Sequence, residues 1–255
     1  MSAPPPTTAR QAFLRGLRAP MGGAVLIIAA SYLPFGALVH ESGLPFWSAP
    51  LITGAIWALP AQILFVEMFV TGAPAVAILI AVSLSHARFM PMVVSILPLI
   101  RSGRRRPLEF FAAHISAVMS WTLAMRDLPT IPRHLRMAYY MGIALAFWGG
   151  AILFTALGHA IADPMPAEVR QVVLLLVFAY LWVLFADQRN RAFLFAVGMG
   201  AVAGPLIYLA TPNWTLLITG ILFGSLAFLL DARLARRRAA PVASPPTASP
   251  PSDDD

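Results

Sequence analysis

Cysteine is absent from the 255 residues, which excludes disulfides, thiolate metal sites and a cysteine nucleophile. Lysine is absent as well, so that all 18 basic residues are arginines. Charge of either sign is scarce: Asp, Glu, Lys and Arg make up 11% of the chain, against 59% hydrophobic residues and a mean hydropathy of +0.76. A soluble domain carries roughly 25% charged residues, and a chain with less than half that share cannot cover a water-facing exterior. No stretch is long and polar enough for a soluble catalytic domain. The alternating segments of about 10 residues that mark a transmembrane β-barrel are missing too. In their place stands a succession of apolar runs near the roughly 20 residues that span a bilayer. The composition specifies an all-α, polytopic helical membrane protein.

The chain divides into three regions. Residues 1–18, with Pro4-Pro5-Pro6, read as a disordered cytoplasmic tail; 19–231 form the membrane domain; 232–255 read as a disordered, Arg-rich and then Pro/Ser/Asp tail. Arg10, Arg15 and Arg18 precede the first run, which is too long for a signal peptide and lacks a small-residue cleavage site. The membrane domain has room for about seven or eight spans. A net charge of +7 would suggest nucleic acid in a soluble protein, but these arginines lie mostly between or beyond the apolar runs. Their partner is the anionic surface of the bilayer.

The basic loops at 126–136, 189–191 and 233–238 alternate with the turn at 40–43, the acidic 162–169 and 211–213. Eight crossings then put both termini in the cytoplasm by the positive-inside rule. The loop 101–106, with four arginines, breaks the alternation. At least one helix between 47 and 125 is therefore expected to be broken or re-entrant. Pro60, Pro91 and the polar Ser85-His86-Ala87-Arg88 interrupt this stretch, and non-helical backbone at membrane depth must be covered by protein or water.

Ionisable residues inside spans are costly to bury and are functional candidates. Arg88 is foremost, since a guanidinium is always charged and its planar fork of donors matches a carboxylate; a structural ion pair is the alternative. Gln62 follows Pro60, which removes a backbone hydrogen bond. The freed carbonyls and the amide suit a zwitterion, or a Pro-kinked helix with one interhelical bond. Glu67, His86 and His114 are candidates for proton or ion coupling. A headgroup contact for Glu67 and helix packing for His86 and for His114 with Ser116 and Ser120 are the plainer readings. His159 closes a later span. Gly149-Gly150 and Gly198-x-Gly200 read as close-packing surfaces. No metal set is present, and no nucleotide-binding loop, so no cofactor is expected.

These residues resemble a known family. Pro34-Phe35-Gly36, Trp57-Ala58-Leu59-Pro60-Ala61-Gln62, Gly72, His86-Ala87-Arg88-Phe89, Tyr139-Tyr140-Met141-Gly142 and Trp148 are similar to signatures of the AzlC family, over about 20–230. The resemblance implies a permease large subunit in the bacterial inner membrane, exporting branched-chain or related apolar amino acids by a secondary, non-ATP mechanism. It also implies a small AzlD-like membrane partner. Gln62, Pro60, Arg88 and His86 would contact the substrate, with Phe65, Phe89 or Trp121 beside its apolar side chain. The chain departs from the family where Phe89 replaces a histidine and where Ala117-Val118-Met119 replaces an acidic signature. Two other classes stay open: a non-transporting membrane scaffold or assembly subunit, and an intramembrane hydrolase using Ser83 or Ser85 with His114. Against the hydrolase stands the lack of any Gly-x-Ser-x-Gly elbow.

Overall fold

The computed structural model describes residues 6–87, 89–101, 107–186, 191–211 and 215–238. Among them are twelve α-helices and no strand. The chain divides into two compact units, 1–186 and 187–255.

In the first unit, α1 (Ala9–Arg18) is amphipathic and capped reciprocally: Thr8 Oγ1 accepts from the Gln11 amide at 3.2 Å, and Gln11 Oε1 accepts from Thr7. Such reciprocal caps start helices, so residues 9–18, expected as part of a disordered tail, form an ordered element. α2 (Gly23–Glu41) and α9 (Arg136–Ala162) are its long apolar helices. The start of α2 at Gly23 and Ala24 shares a cleft with Phe147, Leu33 and Gly36 cross α9 at Thr155–His159, and His40 meets His159, so α2 and α9 run parallel. At their far ends, Arg170 at the start of α10 (Ala167–Ala186) pairs with Glu41, and His159 Nε2 donates to the Leu44 carbonyl at 2.9 Å. The basic 126–136 connection and α1 sit at the other end of α9, where Tyr139 donates to Asp127 at 2.7 Å.

Glycines set these crossings. A Cβ on Gly36 would overlap the Thr155 carbonyl, one on Gly158 the Leu33 carbonyl, one on Gly16 that of Tyr139, and one on Gly142 that of Phe13. Paired glycines thus bring α2 and α1 onto α9 backbone to backbone. Gly149 and Gly150, expected to pack closely, have no atom within 4 Å of a would-be Cβ, and neither has Gly198.

Between α2 and α9 lie shorter helices: α3 (Ser48–Ala55), α4 (Leu59–Val70), α5 (Ala75–Ala87), α6 (Met90–Ile100), α7 (Pro107–His114) and α8 (Val118–Asp127). A turn at Thr71 and Gly72 follows α4, with Gly72 at φ 73°. Two bent pairs, α5–α6 at 56° and α7–α8 at 117°, flank the arginine-rich 101–106 connection, which accords with a broken helix there. Among the described residues, two helices are long and apolar enough to cross a bilayer, and up to four spans result if each bent pair is one span. Arg101 also pairs with the buried Glu109 at 2.7 Å, which neutralises one charge of that connection.

The second unit is a hairpin of α11 (Arg191–Ala210) and α12 (Thr215–Arg238), with Gly200 in van der Waals contact with the Thr219 methyl; residues 232–238, expected in a disordered tail, continue α12. Large hydrophobics such as Leu26, Leu79, Phe110 and Leu209 are exposed, the surface that a lipid solvent covers without cost.

Candidate functional site

The chain leaves helical geometry between α3 and α4, at Ile56–Ala58. Ala58 is extended (φ −160°, ψ 111°) and Pro60 sits in the first turn of α4. Proline is tolerated there because the first amides of a helix have no intrahelical partner. Pro60 therefore opens a new helix and does not kink a continuous one. Its missing N–H would have bonded the Ile56 carbonyl, four residues back. The Gln62 side chain takes that place, with Nε2 donating to Ile56 O at 2.5 Å.

A second break separates α7 from α8, at Ile115–Ala117. It contains neither proline nor glycine. Ser116 Oγ donates to the Ala112 carbonyl at 2.8 Å, and Ser120 Oγ accepts from the Ala117 amide at 2.9 Å. Serines that bond nearby backbone compete with the helical ladder, and here they satisfy it where it stops.

The two breaks are tied together. Trp57 Nε1, in the first, donates to Ile115 O, in the second, at 3.0 Å; His114 Nε2 donates to Gly54 O at 3.1 Å. A carbonyl only accepts, so the neutral His114 ring carries its proton on Nε2. α9 closes the arrangement from one side. Trp148 Nε1 also donates to Gly54 O at 3.2 Å, Tyr140 donates to Ser116 Oγ, and Thr155 Oγ1 lies 3.0 Å from Thr53 Oγ1. Thr53 also lies 3.4 Å from Gln62 Oε1. Thr53, Gln62, Ile115 and Thr155 are fully buried, and Trp57 and Ser116 nearly so, as irregular backbone in an apolar setting requires.

The expected site residues fall unevenly on this arrangement. Gln62 and Pro60 belong to the first break and His114 to the edge of the second. Glu67 is exposed in the last turn of α4. His86 ends α5, its Nδ1 turned back to Val82 O at 3.0 Å and its ring against Phe89. Arg88 lies outside the described residues. Phe65 stacks on Phe69, and Trp121 Nε1 donates to Ser95 Oγ at 2.8 Å. Ser83 and Ser85 stand on α5, and among the described residues no hydrogen bond joins either to His114. No group of three metal-ligating side chains occurs among the described residues.

Thr53 and Thr155 do not stand out in the sequence, because a threonine in an apolar run bonds its own helix as readily as a neighbour. The tryptophans carry a usable signal: an indole N–H in an apolar segment needs an acceptor, and a broken helix exposes one. The Thr53–Thr155 bond should be worth about 1 kcal/mol. A double-mutant cycle of Thr53→Val and Thr155→Val, followed by thermal unfolding in detergent, should return a coupling of that order; strict additivity would remove the bond.

The fold and site define a helical membrane protein built around paired discontinuous helices. The chain belongs to the AzlC family: the AzlC protein family matches residues 23–165, more than half of the chain, from the start of α2 to just beyond α9. Both breaks and all of α9 lie within the match, whereas α1 and the α11–α12 hairpin lie outside it. The family gives the chain a membrane transport-related role. No curated protein and no solved structure matches the chain.

Proposed function

We propose that the protein is the large subunit of an exporter for branched-chain or related apolar amino acids in the bacterial inner membrane. It would act by a secondary mechanism, with a small AzlD-like partner. The observation that supports this most directly is the meeting of two helix breaks against α9. Unwound backbone supplies carbonyls and amides that a zwitterion needs and that a continuous helix withholds, once the internal bonds to the Gly54, Ile56 and Ile115 carbonyls open. In this reading Arg88 holds the substrate carboxylate, and Gln62 with the backbone at Pro60 contributes polar contacts. His86 stands near Arg88 in sequence. Glu67, His86 and His114 are the groups available for proton coupling.

The topology in this reading has eight crossings. Parallel α2 and α9 require an odd number of crossings between them, and α3–α4, α5–α6 and α7–α8 supply three. α10, α11 and α12 complete the set, with both termini on the cytoplasmic side.

Cells loaded with dipeptides of valine, leucine, isoleucine or methionine test the export reading. Expression of this chain with its small partner should lower the intracellular plateau of at least one of these amino acids, read by mass spectrometry. Arg88→Ala should restore the plateau of empty cells while the protein stays in the membrane. Unchanged plateaus with both proteins inserted would overturn the reading.

One observation favours the scaffold alternative. Gln62 is fully buried and its amide is already bonded to Ile56 O and close to Thr53, as a packing residue would be. A scaffold would lose complex stability on substitution of Gln62, with no change in solute levels.

A further inference from the structure

A cleft of 710 Å3 opens between the start of α2, α8 and α9. Met21, Gly23 and Ala24 line one side, Val118 and Thr122 the other, and Arg126 stands at the end of α8. Its walls are apolar apart from the arginine and Thr122, whose hydroxyl is spent on the Val118 carbonyl at 2.8 Å. Met21 is 67% and Val118 47% exposed, so the cleft is open to the surroundings. Neither the helix breaks nor Gln62 contribute to it.

The charge near the cleft is predominantly positive. Arg10, Arg15 and Arg18 lie on α1, which packs by Gly16 on the Tyr139 backbone; Tyr139 in turn bonds Asp127, next to Arg126. Arg133 and Arg136 precede or begin α9. Against these six arginines, Asp127 is the one acid among the described residues of α1, α8 and the 128–136 connection. It bonds both Arg126 and Tyr139, and Arg126 keeps 69% of its side chain exposed.

An apolar slot with Arg126 at its edge, and further arginines on the neighbouring α1 and 128–136 segments, matches a molecule with acyl chains and a negative headgroup. Basic pockets between transmembrane helices bind such lipids. We infer that the α2–α8 cleft is a specific site for an anionic glycerophospholipid, with the phosphate at Arg126 and an acyl chain between Ala24 and Thr122. A zwitterionic lipid would fill the slot without the charge term. A free amino acid would leave most of the apolar wall uncovered.

Native mass spectrometry of the full chain, purified in detergent and titrated with phosphatidylglycerol or phosphatidylcholine, tests this. The wild-type chain should retain one phosphatidylglycerol after delipidation strips the remainder, in preference to phosphatidylcholine. Arg126→Gln should cut that preference by about fivefold, the effect of one arginine at an anionic surface. Ala24→Phe should remove the retained lipid by filling the slot; Thr122→Phe, from the opposite wall, does the same if the first variant fails to fold. Retention unchanged in both the arginine and the slot variants would overturn the site. So would equal retention of the two lipids by the wild type, or a retained mass that proves to be an amino acid or a protein.

Discussion

Gly158→Ala is expected to lower the Tm of the detergent-purified protein by roughly 5–10 °C, whereas Gly149→Ala, nine residues earlier on the same helix, leaves it unchanged or slightly raised. The Gly158 methyl would overlap the Leu33 carbonyl of α2, and the obstacle is backbone, which cannot rotate aside. Overfilling a packed core costs about 1–3 kcal/mol, and a rigid obstacle puts this site at the upper end. For a chain of this size each kcal/mol moves Tm by about 2–4 °C. Gly149 has open space around its would-be Cβ, and alanine is the better helix former by up to about 1 kcal/mol. Gly36→Ala attacks the same crossing from α2, so its effect should combine with that of Gly158→Ala less than additively. Equal melting of Gly158→Ala and Gly149→Ala would show that α2 and α9 are not held at backbone contact.

The contrast between these two glycines marks how far the sequence can be read. Gly149-Gly150 looks like a packing motif, and Gly158 stands alone in an apolar run; in a membrane helix both faces are apolar. Periodicity therefore cannot tell which face meets protein. The helical membrane class is plain, because too few charges leave no other solvent. A break near Pro60 is also legible, though displaced. Proline announces that the preceding amide ladder stops, but only the structure shows that it stops at Ile56–Ala58 and that Pro60 opens α4. The break at Ile115–Ala117 carries no proline or glycine, and its signal is the pair Ser116 and Ser120. In the sequence those serines read as packing groups between helices. They do pack between helices, since Ser116 meets Tyr140 of α9, and they also satisfy a ladder that ends, which the sequence does not show.

Charge is legible in pattern and opaque in pairing. The arginine-rich 101–106 connection conflicts with simple alternation, and bent helix pairs lie on both sides of it. The pairing of Arg101 with Glu109 has no signature in the sequence, because the partners belong to different elements and nothing local ties them. The same holds for Glu41 and Arg170, which lie far apart in sequence and join the ends of α2 and α10. The Glu41–Arg170 pair holds the end of α2 beside the segment that follows α9, as parallel courses of α2 and α9 require; the proposed eight-crossing topology rests on those courses.

Gln62→Leu should separate the transport reading from the scaffold reading, and its expected effect on function is large. Leucine keeps nearly the volume of glutamine and removes the amide. Ile56 O then loses its Gln62 donor and keeps the Ala58 amide at 2.9 Å, while Thr53 keeps Thr155. A buried group deprived of a partner costs about 1–3 kcal/mol; here the remaining bonds hold the loss near the lower figure, so the variant should fold and insert. If the breaks bind substrate, opening them exposes Ile56 O and the Gln62 amide together, and the leucine variant presents one polar group fewer to a zwitterion. Export per inserted molecule should then fall at least tenfold, which corresponds to about 1.4 kcal/mol of lost substrate interaction, with the amount of complex little changed. If the chain is a scaffold, the same variant should lower the yield of complex with the small partner in proportion to its loss of stability, with solute plateaus unchanged throughout. Measuring complex yield and export on the same membranes gives both quantities from one preparation. Wild-type export by Gln62→Leu would remove this residue from the substrate site and leave it the role its buried hydrogen bonds already describe, that of a clasp across the first break.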